Sequence, residues 1–565
     1  MTRTQFFNRL YILFFLFVNS SAFAYQPPTG IPDPTWGTIH PIDTQAPPKP
    51  TSWPSEESTG FYYVDNTHLQ ATDSGNPFGY PDKPRVTIPE GDLQAGEYVE
   101  IHGGPYRGGG QIIIRALGTE ANPVWVRGGD NINPAHITGE MIVKGSYVFL
   151  ENFNFTENNR SLRLRTHNGT SLNHAVIRSS EFSGPGTASG NDSAVSIYGT
   201  PTQRVSDIVI YNNHIHDFGD DSPTSNENDY HGIIPGYDAD RIWILNNHIH
   251  NMGGDSVQVG MASIIDESRV DSIYVGYNKF HADRENAIDI KEADNIIISS
   301  NELYDYELVQ NGTSSDGTIV VIHNQPTNVW IINNKIYNGV YGIVTTGSTN
   351  TWLIGNEIHN IRRIPDTDSM TWGNNWNNPD SLYSQGAAIH FRGTSTGGVL
   401  NNSIYGSDTG IQLAQGNDGY TILNNIIYGR TDQFGHDIIS NNSQLQNNSV
   451  INNNLFSNES SIYWGGIKYT LNGFTNGTSQ CNDCIIGNPA FKDTPNGNFS
   501  LRENSAAINI GTSIINTHSF STYYPGYNID STLRGSDRII SNNIDIGANE
   551  YAPPQVMPPT NVIVQ

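Results

Sequence analysis

Hydrophobic and polar positions repeat in one short pattern between residues 231 and 392. An aliphatic run is followed by Asn, then by a single aliphatic residue and a His or Tyr, then by a turn and a second aliphatic run. Three copies are IWILNNHIHNMGGDSVQVG at 242–260, IYVGYNKFHADRENAIDIK at 273–291 and VWIINNKIYNGVYGIVTT at 329–346. A unit this short cannot bury its own apolar side and must stack on copies of itself. The pattern therefore predicts a solenoid.

Each repeat holds three stretches of about 4–5 residues, which are too short for helices and have the composition of strands. They are rich in Ile and Val and are separated by Asn, Gly and Asp. One repeat therefore fits one coil of a right-handed parallel β-helix, an all-β solenoid with three strands per coil.

One Asn recurs at the same place in each repeat, between the first and second strands. Asn278 and Asn301 are 23 residues apart, and inserted loops lengthen other steps. Asn tolerates a left-handed backbone, and its amide can bond to the next coil. These residues therefore predict an asparagine ladder. Its members are Asn213, Asn247, Asn278, Asn301, Asn334, Asn356, Asn402 and Asn425.

The strand after the second turn carries the candidate chemistry. Its copies read GIIPG (232–236), SVQVG (256–260), AIDIK (287–291), GIVTT (342–346), AIHFR (388–392) and GIQLA (410–414). Because side chains alternate along a strand, Ile288 and Ile290 should point inward, whereas Asp289 and Lys291 should point outward. Charged and His residues collect on this outward column, which is therefore the predicted functional face.

The two ends of the chain differ from the repeats. Residues 1–24 hold Arg3 and Arg9, the apolar run YILFFLFV and a final Ala-Phe-Ala, a pattern typical of a secretory signal cleaved after Ala24. We expect a Pro-rich arm or cap at 25–90, the β-helix domain at 91–480, C-terminal coils and a tail at 481–552, and a Pro-rich end at 553–565. The mature protein should be exported to the periplasm or the medium, without a transmembrane anchor, and monomeric.

Composition narrows the partners. The chain has 29 basic and 55 acidic residues, a net charge of −26, which argues against nucleic acid. A polyanionic substrate would need a local basic patch, because the overall field would repel it. Cys481 and Cys484 could form a small local disulfide or remain two thiols.

The repeats at about 140–430, with the closing segments 488–512 and 543–552, resemble the pectate-lyase-like superfamily of right-handed β-helices. This superfamily includes polysaccharide lyases, glycoside hydrolases, uronan epimerases and adhesins, so the resemblance implies the fold and leaves the activity open. The strand NAIDIK is loosely like the Asn-Gly-aromatic-Lys strand of one pectate lyase family, with Asp289 at the position of that lysine.

Long loops on one side of a solenoid build the walls of a cleft. The predicted walls are residues 217–230, 305–316 and 360–386, the last carrying Trp372 and Trp376, which we expect to stack on sugar rings. The short coils between them would form its floor.

Lys291 is the predicted catalytic base, which removes the C5 proton of a uronic acid, as lysine does in several lyases of this fold. A nearby cation or a dry cleft would lower its pKa toward neutrality. The alternative is a solvated lysine paired with Asp289 or Glu292.

Carboxylates near this strand could bind Ca²⁺, a hard ion that prefers several oxygen ligands. The alternative is a set of solvated turn residues. The predicted metal ligands are Asp255, Glu285, Asp289, Asp220 and Asp221, with Asp229 and Asp283 nearby.

Three histidines and an arginine complete the predicted site. His231 should lie directly below Asp255 in the stack, and a His–Asp contact beside Lys291 would suit general acid catalysis. His390 and Arg392 lie on the outward face, where Arg392 could bind a carboxylate bidentately. His323 has two possible registers, one beside Lys291 and one in the turn.

A second column of rings recurs once per coil. Because His and Tyr alternate freely in it, we expect a stacked aromatic ladder rather than a metal site. Its members are His216, His250, His281, Tyr304, Tyr337, His359, Tyr405 and Tyr428.

These observations predict a secreted polysaccharide lyase that cleaves an acidic polysaccharide by β-elimination, with Lys291 as base and Ca²⁺ or Arg392 on the uronate. One alternative is a glycoside hydrolase with Asp255 and Asp289 as its carboxylate pair. The other is a glycan-binding surface protein that uses Trp372 and Trp376 without chemistry.

Overall fold

The computed structural model describes residues 56–107, 110–129, 133–156, 160–166, 171–186, 192–222, 229–261, 268–307, 317–363, 386–393, 395–413, 419–431, 435–440, 448–514 and 543–551. They form a right-handed parallel β-helix, as the repeats predict. Each coil contributes one strand to each of three sheets, called here the front, side and back sheets. Along the chain the order is side, back, front.

The front sheet contains the strands Asp92–Gln94, Gln111–Leu117, the first half of Glu140–Glu151, Leu162–Arg165, Asp192–Tyr198, Tyr230–Pro235, Val257–Val259, Ile288–Lys291, Thr318–His323, Tyr341–Thr346, Ala387–Arg392, Thr409–Leu413, Ile438–Ser440, Ile462–Trp464 and, antiparallel at its end, Ile467–Tyr469.

The side sheet contains Phe61–Asp65, Tyr98–His102, Val124–Gly128, the second half of Glu140–Glu151, Leu172–Arg178, Val205–Tyr211, Ala239–Leu245, Val270–Gly276, Ala293–Ser299, Thr327–Ile332, Thr349–Ile354, Gly397–Leu400, Tyr420–Leu423 and Val450–Asn452.

The back sheet contains Ala135–Ile137, Phe153–Phe155, Glu181–Ser183, His214–His216, His248–His250, Lys279–His281, Glu302–Tyr304, Lys335–Gly339, Glu357–Ile361, Ser403–Tyr405, Ile426–Tyr428, Leu455–Phe456 and Ile485–Ile486. A hairpin of Phe491–Asp493 and Asn498–Leu501, a 3₁₀ turn at Thr494–Asn496 and an α-helix at Leu471–Thr478 lie near the C-terminal end. No helix among these residues is long and apolar enough to cross a membrane.

The inward side chains of all three sheets form one continuous apolar core that runs through the solenoid. It is built mainly from Ile, Val and Leu, which suit closely stacked strands. On the side sheet the outward column is also apolar and buried, with Trp125, Trp243, Trp330 and Trp352 among its members. This outer layer leaves the front and back sheets as the faces with polar outward residues.

The asparagine ladder is confirmed. From Asn247 onward, the side-chain oxygen of each member accepts from the backbone N–H and the amide of the Asn in the preceding coil, for instance Asn301 from Asn278 at 2.9 and 3.0 Å. The oxygen of Asn213 accepts from the backbone N–H of Ser180. The ladder continues to Asn454. The left-handed conformation falls one residue earlier than expected, as at Asn212 (φ 54°) and Asn246 (φ 53°). The ladder Asn thus supplies hydrogen bonds, while its predecessor makes the turn.

The aromatic ladder on the back sheet is also confirmed. Tyr304 and Tyr337 stack with ring centroids 4.9 Å apart and planes at 3°, and Tyr337 stacks on His359 at 4.8 Å. Phe499 from the C-terminal hairpin inserts between His359 and Tyr405. Cys481 and Cys484, whose state the sequence left open, form a disulfide.

The C-terminal residues 543–551 return to the middle of the solenoid. The Asn549 amide donates to Glu357 at 2.8 Å, and the Asn401 amide donates to the carbonyl oxygen of Asp545 at 3.1 Å. The tail therefore covers the seam between the side and back sheets.

Candidate active site

The front-sheet register agrees with the alignment made from the sequence. Ile233 pairs with Val257, and Val257 with Ile288. The same alignment holds at the far end, where Ile343 pairs with Ile389 and Ile389 with Ile411. The first outward column therefore includes Gln258, Asp289, Val321, Val344 and His390, in consecutive coils.

Four polar side chains meet at the coil of Asp289. The ammonium nitrogen of Lys291 lies 2.9 Å from Oδ2 of Asp289, and Nε2 of His323 lies 2.8 Å from Oδ1 of the same carboxylate. Lys291 also donates to the side-chain oxygen of Gln258 in the preceding coil at 2.8 Å. One buried carboxylate therefore holds a lysine and a histidine from adjacent coils side by side.

The strands explain this meeting. Lys291 and His323 are register partners at the ends of their strands, which settles the two alternatives for His323 in favour of the one beside Lys291. Their side chains are 21% and 31% exposed, whereas that of Asp289 is 8% exposed. The side chains of Lys291 and His323 are thus partly exposed above a shielded carboxylate, while Nε2 of His323 itself is buried.

The electrostatics of Lys291 differ from the expectation. Burial acts to lower the pKa of its amine, but the nearby carboxylates, with Asp289 the strongest, raise the pKa above its ordinary value. Burial raises the pKa of Asp289, and the bond from His323 and the charge of Lys291 bring it below its ordinary value. The protein's own groups therefore favour an ammonium ion beside a carboxylate.

A second layer lies beneath this cluster. Nδ1 of His231 accepts from the backbone N–H of Asp255 at 3.0 Å and lies 3.1 Å from its carboxylate, as the stacking of His231 under Asp255 predicts. Asp255 in turn accepts from the backbone N–H of Asn286 at 3.0 Å. The side chains of His231 and Asp255 are only 3% and 0% exposed. They therefore support the cluster from below and do not reach a substrate.

Burial sets the charge of this layer. It lowers the pKa of His231, and together with the negative charge of Asp289 it raises the pKa of Asp255 well above its ordinary value. Both groups are thus favoured in their neutral forms, which leaves Asp289 as the ionised carboxylate of the site.

The predicted calcium ligands do not converge in this arrangement. Asp289 is held by Lys291 and His323 and Asp255 by a backbone amide, while Glu285 lies 3.6 Å from Arg284 and is 5% exposed. Ca²⁺ requires six to eight oxygens directed at one point. Among the described residues, ligand atoms of at least three His, Cys, Asp or Glu come within 4.8 Å of one another only in two groups on the back sheet, both of which contain His214.

Asp220 and Asp221 belong to a different environment. Burial raises the pKa of Asp221, with smaller contributions from Asp220 and Asp217. His250 of the back sheet also acts on this carboxyl. Asp221 therefore interacts electrostatically with His250 of the back sheet, and Asp220 accepts from the backbone N–H of Ser222 at 3.0 Å.

His390 and Arg392 form a separate group. Arg392 donates to Nδ1 of His390 at 3.2 Å and lies over the ring of Tyr341 at 5.0 Å. Their strand is three coils from Asp289, which corresponds to roughly 14 Å at a strand spacing of about 4.8 Å. Arg392 and Lys291 therefore cannot hold the same carboxylate.

Trp372 and Trp376 lie outside the described residues, and their stacking on sugars stays a prediction. Gln258 is the site residue that the sequence argument missed. Its outward place in SVQVG, one coil before Asp289, was the signal that could have found it, because a polar amide there faces the same side as the charged column.

No protein-family model and no curated protein sequence matches this chain. Similar solved structures include a mannuronic acid specific polysaccharide family 6 lyase from human gut microbiota (14% identity, 72% of this chain and 88% of that chain, TM-score 0.41). Others are pectate lyase Pel9A (12%, 88% and 98%, 0.38) and a GH136 lacto-N-biosidase from Eubacterium ramulus (14%, 75% and 67%, 0.33). At these identities the likeness concerns the β-helix architecture and leaves the activity open.

Proposed function

We propose that this chain is an exported polysaccharide lyase that cleaves a uronic-acid-containing polysaccharide by β-elimination at Lys291 and His323. The proposal rests on the exposure of the side chains in the cluster. Lys291 and His323 are 21% and 31% exposed, whereas Asp255 and Asp289 are 0% and 8% exposed. A glycosidase needs two carboxyl groups in contact with the sugar. An accessible lysine and histidine suit the proton transfers of an elimination better.

The reaction removes the C5 proton of a uronic acid and breaks the bond between C4 and the leaving oxygen. His323 is the proposed base: its Nε2 faces Asp289, which leaves Nδ1 to accept the proton. The electron pair of the C5–H bond first passes to the carboxylate as an enolate, which the positive charge of Lys291 stabilises. This pair then forms the C4–C5 double bond as the C4–O bond breaks, and Lys291 gives its proton to the leaving oxygen.

This assignment reverses the roles expected from the sequence, in which Lys291 is the base. A lysine base must be a neutral amine, and the raised pKa of Lys291 opposes that form. Asp289 orients both groups, and the neutral pair His231 and Asp255 fixes the backbone beneath them.

Arg392 would bind a second carboxylate of the chain, three coils from the point of cleavage. Export rests on the signal-like residues 1–24, and the disulfide between Cys481 and Cys484 is consistent with an oxidising compartment. No step of this mechanism uses Ca²⁺, since the predicted ligands are engaged elsewhere.

Incubation with a panel of uronans tests the proposal. The expected result is ultraviolet absorbance from the unsaturated product, equal with added Ca²⁺ and with a chelator. New reducing ends without that absorbance would overturn the lyase in favour of a hydrolase. Binding without either signal would favour a glycan-binding protein.

The hydrolase remains the second candidate because of one observation. Asp255 and Asp289 have pKa values shifted in opposite directions, upward and downward, as in acid and base pairs of glycosidases. The complete burial of Asp255 argues against the hydrolase, because this carboxyl cannot contact a sugar.

A further inference from the structure

A column of cations continues the front-sheet face beyond the cluster, toward the N-terminal coils. Arg115 pairs in register with Lys144, and Arg165 pairs with Tyr198. Val143 pairs with Leu164, so Lys144 and Arg165, the next residue of each strand, are also register neighbours. Three cationic side chains therefore lie on successive coils of one face, in a protein whose net charge is −26.

The same outward position joins this column to Lys291. From Arg165 it passes through Tyr198, Gly236 and Gly260, and reaches Lys291 after four coils, roughly 19 Å at about 4.8 Å per coil. The two glycines are buried and carry no side chain, so no charged group lies at this position between the two positive ends. A Cβ at Gly236 would lie 2.0 Å from the ring of Tyr198, which covers that glycine.

A cleft lies over this stretch. It has a volume of about 600 Å³ and is lined by Arg163, Arg165, Tyr198, Ile234 and Met261, among others. Met261 directly follows Gly260, the register neighbour of Lys291, so the cleft ends beside the coil of the proposed catalytic pair. Tyr198 offers an aromatic surface for a sugar ring.

The arginines of this cleft differ in their partners. Arg160 and Arg163 form ion pairs with Asp192 and Glu140. Arg165 has no carboxylate within 4.0 Å in the part of the chain that the structure describes, and its Nε is buried without a hydrogen bond there. Its guanidinium lies 5.9 Å over the Tyr198 ring. An arginine held in this way favours an external anion.

We propose that Arg165, together with Lys144 and Tyr198, forms a distal subsite that binds carboxylates of an acidic glycan about four coils from Lys291. The subsite deepens the proposed function and rests on it only for the claim that the bound glycan is also cleaved. It supplies the local basic patch that an acidic protein needs for a polyanionic ligand, and it favours long chains over short ones. Single-stranded nucleic acid, which is also a polyanion, is the alternative ligand that the test below compares.

The test uses size-graded oligogalacturonates and alginate oligosaccharides, from disaccharide to octasaccharide. Arg165→Ala and Lys144→Ala should each raise the Kd of the octasaccharides roughly 10-fold and reduce the salt dependence, with the Kd of the disaccharides unchanged. Arg165→Lys should retain part of the affinity. Lys335→Ala, which removes a charge from the back sheet, is the matched control. It should change neither the Kd of the octasaccharides nor its salt dependence. Equal octasaccharide affinity in all folded variants, or equally tight binding of single-stranded DNA of the same charge, would overturn the subsite.

Kinetics separate this inference from the proposed function. If uronans are cleaved, Arg165→Ala should raise KM for polymer and leave kcat unchanged; cleavage with an unaltered KM would refute the subsite alone. If no uronan is cleaved but octasaccharide binding still depends on Arg165, the lyase is refuted and the subsite stands.

Discussion

The front and back sheets both gather titratable side chains, but they do so in opposite ways. On the back sheet five imidazoles form a histidine lattice, made of His214, His216, His248, His250 and His281. Nε2 of His214 lies 3.0 Å from Nε2 of His250, and that of His248 lies 2.8 Å from that of His281. On the front sheet a lysine, a carboxylate and a histidine from two coils meet instead.

The difference lies in repetition. The lattice places the same residue type at the same position in successive coils, so its rings stack, as His250 does on His281 at 4.9 Å and 8°. The cluster of Asp289 occurs once, between Val321 on one side and Gln258 on the other. In a solenoid a repeated polar residue therefore indicates packing between coils, and a polar residue that breaks the repeat indicates chemistry.

The largest effect should come from removing His323 of the front sheet, with removal of a back-sheet histidine as the control. His323→Ala deletes the proposed base and should lower kcat by ~10²–10⁴-fold, because general base catalysis is lost. His250→Ala removes one ring of the lattice and should leave kcat unchanged. Steady-state rates on the uronan that the panel identifies check both. Equal losses of kcat in the two variants would show that the front-sheet and back-sheet histidines do not differ in function.

A smaller effect distinguishes the two possible roles of Lys291. If the ammonium is the functional form, Lys291→Arg keeps a cation beside Asp289 and should retain more activity than Lys291→Ala, which should lose ~10²-fold or more. If Lys291 is the base, arginine cannot replace it. The measurement is the ratio of the two kcat values. Thermal unfolding of both variants checks that the fold survives when the buried Asp289 loses its lysine partner. If Lys291→Arg and Lys291→Ala are both folded and equally inactive, Lys291 is the base.

The smallest effect concerns stability and pH. Burial and neighbouring imidazoles lower the pKa values of His248 and His281 to about 4 from the ordinary 6.5. As the pH falls from 6.5 to 4, the unfolded chain takes up these protons before the folded protein does, so stability should be lost across that window. The Tm should therefore fall less steeply in a His248→Gln, His281→Gln variant. Parallel Tm curves for the two proteins would contradict this account of the lattice.

Repetition also decides what the sequence could predict. The inward Ile288 and Ile290, the ladder from Asn213 to Asn425 and the ring column were all predicted, since each repeats with the period of the fold. The charge of Lys291 was not, because it depends on how many carboxylates adjacent coils bring near one amine. The complete burial of Asp255 was missed for a similar reason: alternation gives the direction of a side chain, but not what covers it.

The sequence also did not give the distances between side chains in different coils. Arg392 and Lys291 share an outward face in the alignment, and only the count of intervening coils shows that they are too far apart to share a ligand. Arg165 was overlooked because its strand, LRLR at 162–165, lies before the most regular repeats, although it occupies the same outward position as Lys291.

The asparagine ladder has a consequence for the history of the gene. Each ladder Asn bonds only to the coils directly before and after it, so duplication or deletion of one whole repeat rejoins the ladder without creating a new kind of interface. Such an event would also move Arg165 and Lys291 apart or together by one coil. If the front face binds a glycan as proposed, natural selection can therefore adjust the length that it accommodates in steps of one repeat, while the proposed catalytic pair is inherited unchanged.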